Sequence, residues 1–285
     1  MSTSDSRLAQ TLILADNGSS RPESTRALRG IARALTERVG EKAYPVSLQH
    51  ADRIPAAELD GSAANTFETF LTRRIDAGDR RFLVVPLFFG PSRALTHWIP
   101  EKVEACQRAT GRAIELEVAQ PLCPLPQGEP RLADILTDNL REAAERATRR
   151  LRRVVLVDHG SPTPQVAAVR HWLAERLRAS LGAATQVDEA VMERRADKAY
   201  DFNGERLDQV LKRLAGQDRG EPVFLSMLFL AAGRHAGAGG DIDAMRRACE
   251  ADHPGFLTLR TDLVGQHPGL VEVLADRVRD RAASV

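Results

Sequence analysis

The sequence predicts an α/β protein built as two similar lobes, each a small parallel sheet flanked by helices. Three observations carry that prediction. At 285 residues the chain suits two domains of ordinary size. Short apolar, β-branched runs alternate with helical segments, the pattern of a parallel sheet covered by helices. Finally, the chain repeats itself once.

The repeat is visible at three points in the same order. Leu12-Ile13-Leu14-Ala15-Asp16-Asn17-Gly18-Ser19 matches Val154-Val155-Leu156-Val157-Asp158-His159-Gly160-Ser161, so that position 17 corresponds to 159. Pro86-Leu87-Phe88-Phe89-Gly90-Pro91-Ser92-Arg93 matches Met227-Leu228-Phe229-Leu230-Ala231-Ala232-Gly233-Arg234. Arg131-Leu132-Ala133-Asp134-Ile135-Leu136 matches Gly269-Leu270-Val271-Glu272-Val273-Leu274. Chance likeness between apolar strands would supply one such match, hardly three in register. The first lobe is therefore read as residues 1–150 and the second as 151–285, with the boundary in the basic stretch from Arg146 to Arg153. That stretch reads as the solvated end of a helix.

In the second half, Val154–Val157 is a buried strand ending in His-Gly-Ser. Thr163 as N-cap and Pro164 at the first position open a helix that runs to about Leu181 and stops at Gly182. Gln186–Met192 is a weaker strand. Asp201 or Asn203 opens a helix through Leu214, ended by Gly216. Pro222–Leu230 is the strongest strand, followed by a Gly-rich loop and a helix from about Asp241 to Glu250. Phe256–Arg260 and Pro268–Arg281 complete the half as strand and helix. The same criteria place first-half strands near 10–15, 44–49, 81–88 and 114–118.

Composition excludes whole classes. Apolar residues make up 43%, too many for a disordered chain. Forty Lys and Arg against 39 Asp and Glu leave a net charge of +1, so no global field recruits nucleic acid or an acidic membrane. No apolar run approaches the roughly 18 residues that span a bilayer. The polar start MSTSDSRLAQ lacks a signal-peptide pattern. Cys106, Cys123 and Cys249 lie far apart with no CxxC, which argues against a disulfide framework or a structural zinc site. A cytoplasmic protein without nucleic-acid or membrane partners is expected.

In an open parallel sheet, ligands bind outside the carboxyl ends of the strands. Those positions in the second half hold His159, then Met192-Glu193, then Gly233-Arg234-His235. Two imidazoles and a carboxylate on one rim can bind a divalent transition metal or exchange protons. The bland reading makes Gly160 a turn residue, Ser161 a backbone partner and Glu193-Arg194-Arg195 a solvated charge cluster. The first half is an internal control. It carries Asn17 for His159 and Ala94 for His235 while keeping Gly18, Ser19 and Arg93, so the imidazoles are not features of the scaffold. His171, next to Trp172, reads as packing or surface, while His50, His253 and His267 read as loop residues. His97, just past the third strand, could face a cleft between the halves. The loop Gly237–Asp241 lacks the Lys-Ser/Thr of a P-loop, so it reads as mobile backbone able to approach a bulky ligand. The chain also lacks the G-x-S-x-G elbow of a serine hydrolase.

Asp158-His159-Gly160-Ser161, with Leu228-Phe229-Leu230-Ala231-Ala232-Gly233-Arg234-His235 and Asp262-Leu263-Val264-Gly265-Gln266-His267-Pro268, resembles the sirohydrochlorin chelatases, the class II metal-tetrapyrrole chelatases. The resemblance covers the second half and, through the repeat, the first. It implies a two-lobed chelatase fold and ATP-independent insertion of a divalent metal, Co²⁺ or Fe²⁺ with Ni²⁺ as a further candidate, into a tetrapyrrole of the siroheme or cobalamin pathways. It implies metal-handling and catalytic roles for His159, His235 and Glu193. Backbone N–H groups near Gly160 and Ser161 and the 237–240 loop, together with Arg234 and Arg93, are expected to hold substrate carboxylates. No nucleotide is expected, and tandem lobes favour a monomer with pseudo-dimeric lobes. Many two-lobed relatives carry the histidines in the first lobe; here the second has them, and the chain ends plainly at Arg281–Val285 without a His- or Cys-bearing tail. The rival reading is a non-enzymatic tetrapyrrole or metal carrier on a degenerate chelatase fold.

Overall fold

The computed structural model describes residues 10–280. The first nine residues and the Arg281–Val285 tail, on which the targeting and tail readings rest, lie outside the described residues. Two four-stranded sheets form, and every strand pair within them is parallel.

The first sheet contains β1 (Thr11–Asp16), β2 (Ala43–Ser47), β3 (Arg81–Pro86) and β4 (Glu115–Val118), in the order β2-β1-β3-β4. Helices α1 (Pro22–Val39), α2 (Phe67–Asp76) and α3 (Ile99–Thr110) connect them. After α4 (Pro130–Ala147) the pattern starts again. β5 (Arg153–Asp158), β6 (Gln186–Val191), β7 (Val223–Met227) and β8 (Thr258–Arg260) form the second sheet in the order β6-β5-β7-β8. They alternate with α5 (Pro164–Leu181), α6 (Leu207–Gln217) and α7 (Asp241–Asp252), and α8 (Gly269–Arg279) closes the chain.

Strand alternation sorts the second core. Val155, Val157, Ala190, Met192, Leu225 and Met227 are buried together with Leu207, Val210, Leu211 and Leu214 of α6 and with Ile242 and Cys249 of α7. The intervening residues Val154, Leu156 and Phe224 are equally buried, towards the face that carries α4 and α5. In the first sheet, Ile13, Ala15, Val46, Phe82 and Val84 pack with Phe67, Phe70, Leu71 and Ile75 of α2 and with Ile99 and Cys106 of α3. Cys106, Cys123 and Cys249 are all buried.

The repeat and the compact units do not coincide. Contacts divide the described chain into one unit of residues 10–122 plus 271–280 and another of residues 123–270. α4, which precedes the boundary expected near 148–152, lies in the second unit. Its apolar face, Leu132, Ile135, Leu136, Leu140 and Ala143, is buried where α4 packs on α5 and β7. Most of α8 joins the first unit instead. There Arg277 donates to the carbonyls of Pro121 and Leu122 at 3.0 and 3.1 Å, and Glu272 pairs with Arg38 at 2.6 Å.

Several expected boundaries shift for local reasons. β7 ends at Met227 rather than Leu230, because the Leu228 amide still donates to Val157 while that of Phe229 turns back to Met227. β8 starts at Thr258 because Phe256 closes the exit of α7 on His253. α6 begins at Leu207, not at Asp201 or Asn203; Lys198–Asn203 forms 3₁₀ turns and the Asn203 side chain is engaged elsewhere. Thr163 sits at the N-cap of α5 with Pro164 following, but its side chain makes no capping bond.

Candidate functional site

His159, Glu193 and His235 all lie beyond the carboxyl ends of strands of the second unit, and the registry explains why the first two meet. The Met192 and Glu193 amides donate to the carbonyls of Asp158 and His159, at 2.8 and 3.2 Å, so the chain beyond β6 runs beside the turn beyond β5. Gly160 makes that approach possible. It has φ +88°, and a Cβ there would lie 2.2 Å from the Glu193 carbonyl oxygen. The two side chains then face each other, with His159 Nε2 3.5 Å from Glu193 Oε1. His235, from the loop after β7, sets its ring edge-on to that of His159, with centroids 4.8 Å apart.

Hydrogen bonds assign the free ring nitrogens. His235 Nδ1 lies 2.6 Å from Asp241 Oδ2, at the start of α7, and His159 Nδ1 lies 3.2 Å from the Gly160 carbonyl. Nδ1–H donation to these acceptors leaves Nε2 of both rings with its lone pair, the form that ligates a metal or takes up a proton. All three groups are open to solvent, with side-chain exposures of 48% for His159, 64% for Glu193 and 27% for His235, so a cation can reach them. Among the described residues, no group of three or more His, Cys, Asp and Glu side chains is arranged to hold an ion. The site is a pair plus a neighbouring imidazole rather than a closed cage.

A pocket of about 310 Å³ opens beside it, lined by His159, Gly160, Ser161, Pro162, Glu193, Arg194, Arg195 and Tyr200. His235 stands on the other edge of His159, outside that lining. Several backbone N–H groups expected to hold substrate carboxylates are already engaged. Those of Gly160 and Ser161 donate to Asp158 Oδ1 and Asn203 Oδ1 at 3.0 and 2.9 Å, and Gly239 donates to Asp243 Oδ2 at 2.8 Å. Ser161 Oγ accepts from the Thr163 amide. Gly160 and Ser161 therefore shape the wall without presenting free N–H donors. The available cations are side chains. Arg234 is 75% exposed, with Asp241 at 3.7 Å, and Arg195 stacks on Tyr200 while donating to its hydroxyl at 2.7 Å.

The loop that carries His235 is tied down from β8. Arg260 donates to the Ala236 and Gly237 carbonyls and to Asp243 Oδ1, the last at 2.7 Å. Burial alone would raise the Asp243 carboxyl, but bonds from Arg246, Gly239 and Arg260 hold it well below the usual carboxylate range.

The first unit shows the same loop with different chemistry. Gly18 has φ +85°, and the Gln49 amide donates to Asn17 at 3.2 Å just as Glu193 does to His159. Asn17, Gln49 and Ala94 thus stand where His159, Glu193 and His235 stand in the second unit. Arg93 and His97 line a separate pocket of about 300 Å³ with Gln49, Ala94, Trp98 and Glu101. Three further histidines have partners of their own. His171 meets Glu189 at 2.5 Å, His253 pairs with the Cys249 carbonyl, and His267 accepts from Gly269 at the start of α8.

Sequence reasoning missed Asp241, Arg195 and Tyr200. Asp241 carried a signal, since an acidic residue six positions after His235 opens a helix. The pair Arg194-Arg195 resembles any solvated charge cluster until the fold turns Tyr200 back over it.

Comparison with known proteins is consistent over nearly the whole chain. No curated protein sequence matches it. Among solved structures, SirB from Bacillus subtilis with Fe³⁺ is similar at 17% identity, with 97% of each chain covered and a TM-score of 0.70. The sirohydrochlorin chelatase SirB from Bacillus subtilis subspecies spizizenii, in complex with cobalt, is similar at 16% identity, 97% coverage of each chain and a TM-score of 0.65. CbiX, described as the terminal enzyme for biosynthesis of siroheme in denitrifying bacteria, is similar at 18% identity over 95% of this chain and 99% of that one, with a TM-score of 0.59. At these identities the likeness shows the fold. The model of the CbiX family matches the sequence itself, and does so twice, over residues 11–143 and 153–281. The chain belongs to the CbiX family of chelatases.

Proposed function

We propose that this protein inserts Co²⁺ or Fe²⁺ into sirohydrochlorin or a related tetrapyrrole, without a nucleotide, at the His159–Glu193–His235 rim of its second unit. The observation that carries the reading is the meeting of His159 Nε2 and Glu193 Oε1 at 3.5 Å, with the His235 ring edge-on beside them. An imidazole nitrogen and a carboxylate that face each other at this distance attract a proton or a metal ion. SirB structures bearing Fe³⁺ and cobalt agree with this choice of metals. Ni²⁺ is a further candidate, since imidazole-plus-carboxylate sites take all three.

Metallation replaces two pyrrole N–H protons with one M²⁺. His159 and Glu193 take the incoming ion from solvent and pass it to the ring nitrogens. His159 and His235, each with a lone pair at Nε2, accept the two protons released. Asp241 stabilises the imidazolium formed at His235 across their 2.6 Å bond. A two-ligand open site suits this hand-over better than a closed cage would. Arg234 and the pocket's Arg195 pair with substrate carboxylates, while Gly160 and Ser161 form the wall against which the substrate lies. The reaction is tested by substituting both units. His159→Ala/His235→Ala should reduce metal insertion to the spontaneous rate, whereas Asn17→Ala should leave it unchanged. Equal loss in both variants would overturn the assignment to the second unit.

A further inference from the structure

We infer that Arg170 and Asn203 are positioning residues for the His159 turn. They form a buried polar brace that exists only in the unit carrying the histidines. This inference rests on the reading of His159 as a metal-handling residue. Arg170 lies in the middle of α5 and its side chain is 1% exposed. Its guanidinium donates to Asp158 Oδ1 at 2.8 Å, to Glu189 Oε2 at 3.4 Å and to the Asn203 carbonyl at 2.6 Å. Asp158 Oδ1 also receives the Gly160 amide. Asn203, itself 1% exposed, clamps the next residue from both sides: its Oδ1 accepts from Ser161 N, and its Nδ2 donates to Ser161 O, both at 2.9 Å. The same Nδ2 reaches the carbonyl of Tyr200, which lines the pocket. The residues on either side of His159 and the far wall of its pocket therefore hang on one buried cation and one buried amide.

The first unit shows that the fold does not need this brace. Its α1 begins at Pro22 as α5 begins at Pro164, and the position matched to Arg170 is Leu28, buried in its core. Pairing places Leu14 beside Pro45 where Leu156 sits beside Glu189. Thr66 bridges to Ser47 as Arg206 bridges to Val191, so that Ala63 takes the place of Asn203. Leu28, Pro45 and Ala63 thus replace Arg170, Glu189 and Asn203, yet the Gly18 turn has the same backbone shape as the Gly160 turn. The Gly18 turn therefore forms without a buried cation, with the buried Leu28 at the position matched to Arg170. The brace accordingly serves precision at His159 rather than formation of the turn. Partners that orient a ligand through its neighbours typically change metal affinity or activity 10–100-fold.

The test uses the full-length protein with Arg170→Leu, the first unit's own solution, and Asn203→Ala, which leaves the ion pairs of Arg170 intact. Co²⁺ affinity is measured by calorimetry, kcat and KM by sirohydrochlorin metallation, and folding by thermal denaturation. Folded Arg170→Leu should lose about 10–100-fold in Co²⁺ affinity and in kcat, with KM for sirohydrochlorin within about threefold. Asn203→Ala should move both in the same direction. A folded Arg170→Leu with wild-type Co²⁺ affinity and kcat overturns the proposal. If Arg170→Leu does not fold, unchanged affinity in Asn203→Ala overturns it. Wild-type protein whose Co²⁺ affinity is indifferent to His159→Ala/His235→Ala overturns both this inference and the site reading beneath it.

Discussion

Asp16 ends β1 as Asp158 ends β5, but it has no guanidinium beside it. Burial pushes its carboxyl up from 3.8 to about 6, against bonds from Ser47 and the Gly18 amide, and Oδ1 is buried without a partner. A raised carboxyl binds its proton more tightly in the folded protein than in the unfolded chain. Stability from this group is therefore complete at low pH and is lost as pH rises from 3.8 through about 6. At 1.36 kcal/mol per pH unit the stability lost is small at pH 4 and approaches about 3 kcal/mol at pH 7.5. Asp16→Asn keeps the shape and an acceptor for Gly18 but cannot ionise. Its stability relative to wild type should therefore rise by about 2 kcal/mol between pH 4 and pH 7.5. That difference is independent of any constant offset from the amide. Trp98 packs against Phe67 in the first unit, and the protein's other tryptophan, Trp172, lies in the second. Urea unfolding followed by Trp98 fluorescence in a Trp172→Phe background thus reports on the correct unit. Parallel pH profiles for the two proteins would refute the reasoning.

Three further outcomes concern the second unit. Glu193→Gln removes the carboxylate facing His159 from an exposed position, so metallation should fall about 10–100-fold with an unchanged melting temperature. Asp241→Asn removes the anionic acceptor of His235 Nδ1, and Co²⁺ affinity measured by calorimetry should drop by a similar factor; wild-type affinity would show that His235 is not oriented through this bond. Gly160→Ala forces a Cβ onto the Glu193 carbonyl at φ +88° and should destabilise the protein by at least about 1–2 kcal/mol in denaturant titration. A neutral effect would mean that the turn can open without loss.

Much of the architecture was legible in the sequence, because strand ends, helix starts at Pro164 and Asp241, and the twofold repeat are local signals. His159, Glu193 and His235 were legible for a topological reason: a parallel sheet delivers its strand ends to one rim, wherever they lie in the chain. The exchange of α4 and α8 between units was not, since the same apolar helix face would suit either sheet and only the path of the chain decides. Arg170 was hidden beside His171 as one more arginine in a helix. Asn203 read as a helix opener because Asn caps helices far more often than it clamps a distant turn. The donor role expected for the Gly160 and Ser161 amides failed for the same reason, as their partners come from residues 42 positions away and from a buried carboxylate that sequence does not mark as such.

The central claim is turnover at the second-unit rim. An anaerobic absorbance time course, with protein at one-tenth the concentration of sirohydrochlorin and Co²⁺, Fe²⁺ or Ni²⁺ supplied separately, tests it most directly. The account predicts complete conversion through many turnovers, abolished in His159→Ala/His235→Ala. A spectral change that saturates at one equivalent of protein, or conversion that the double variant retains, would contradict it and favour a carrier.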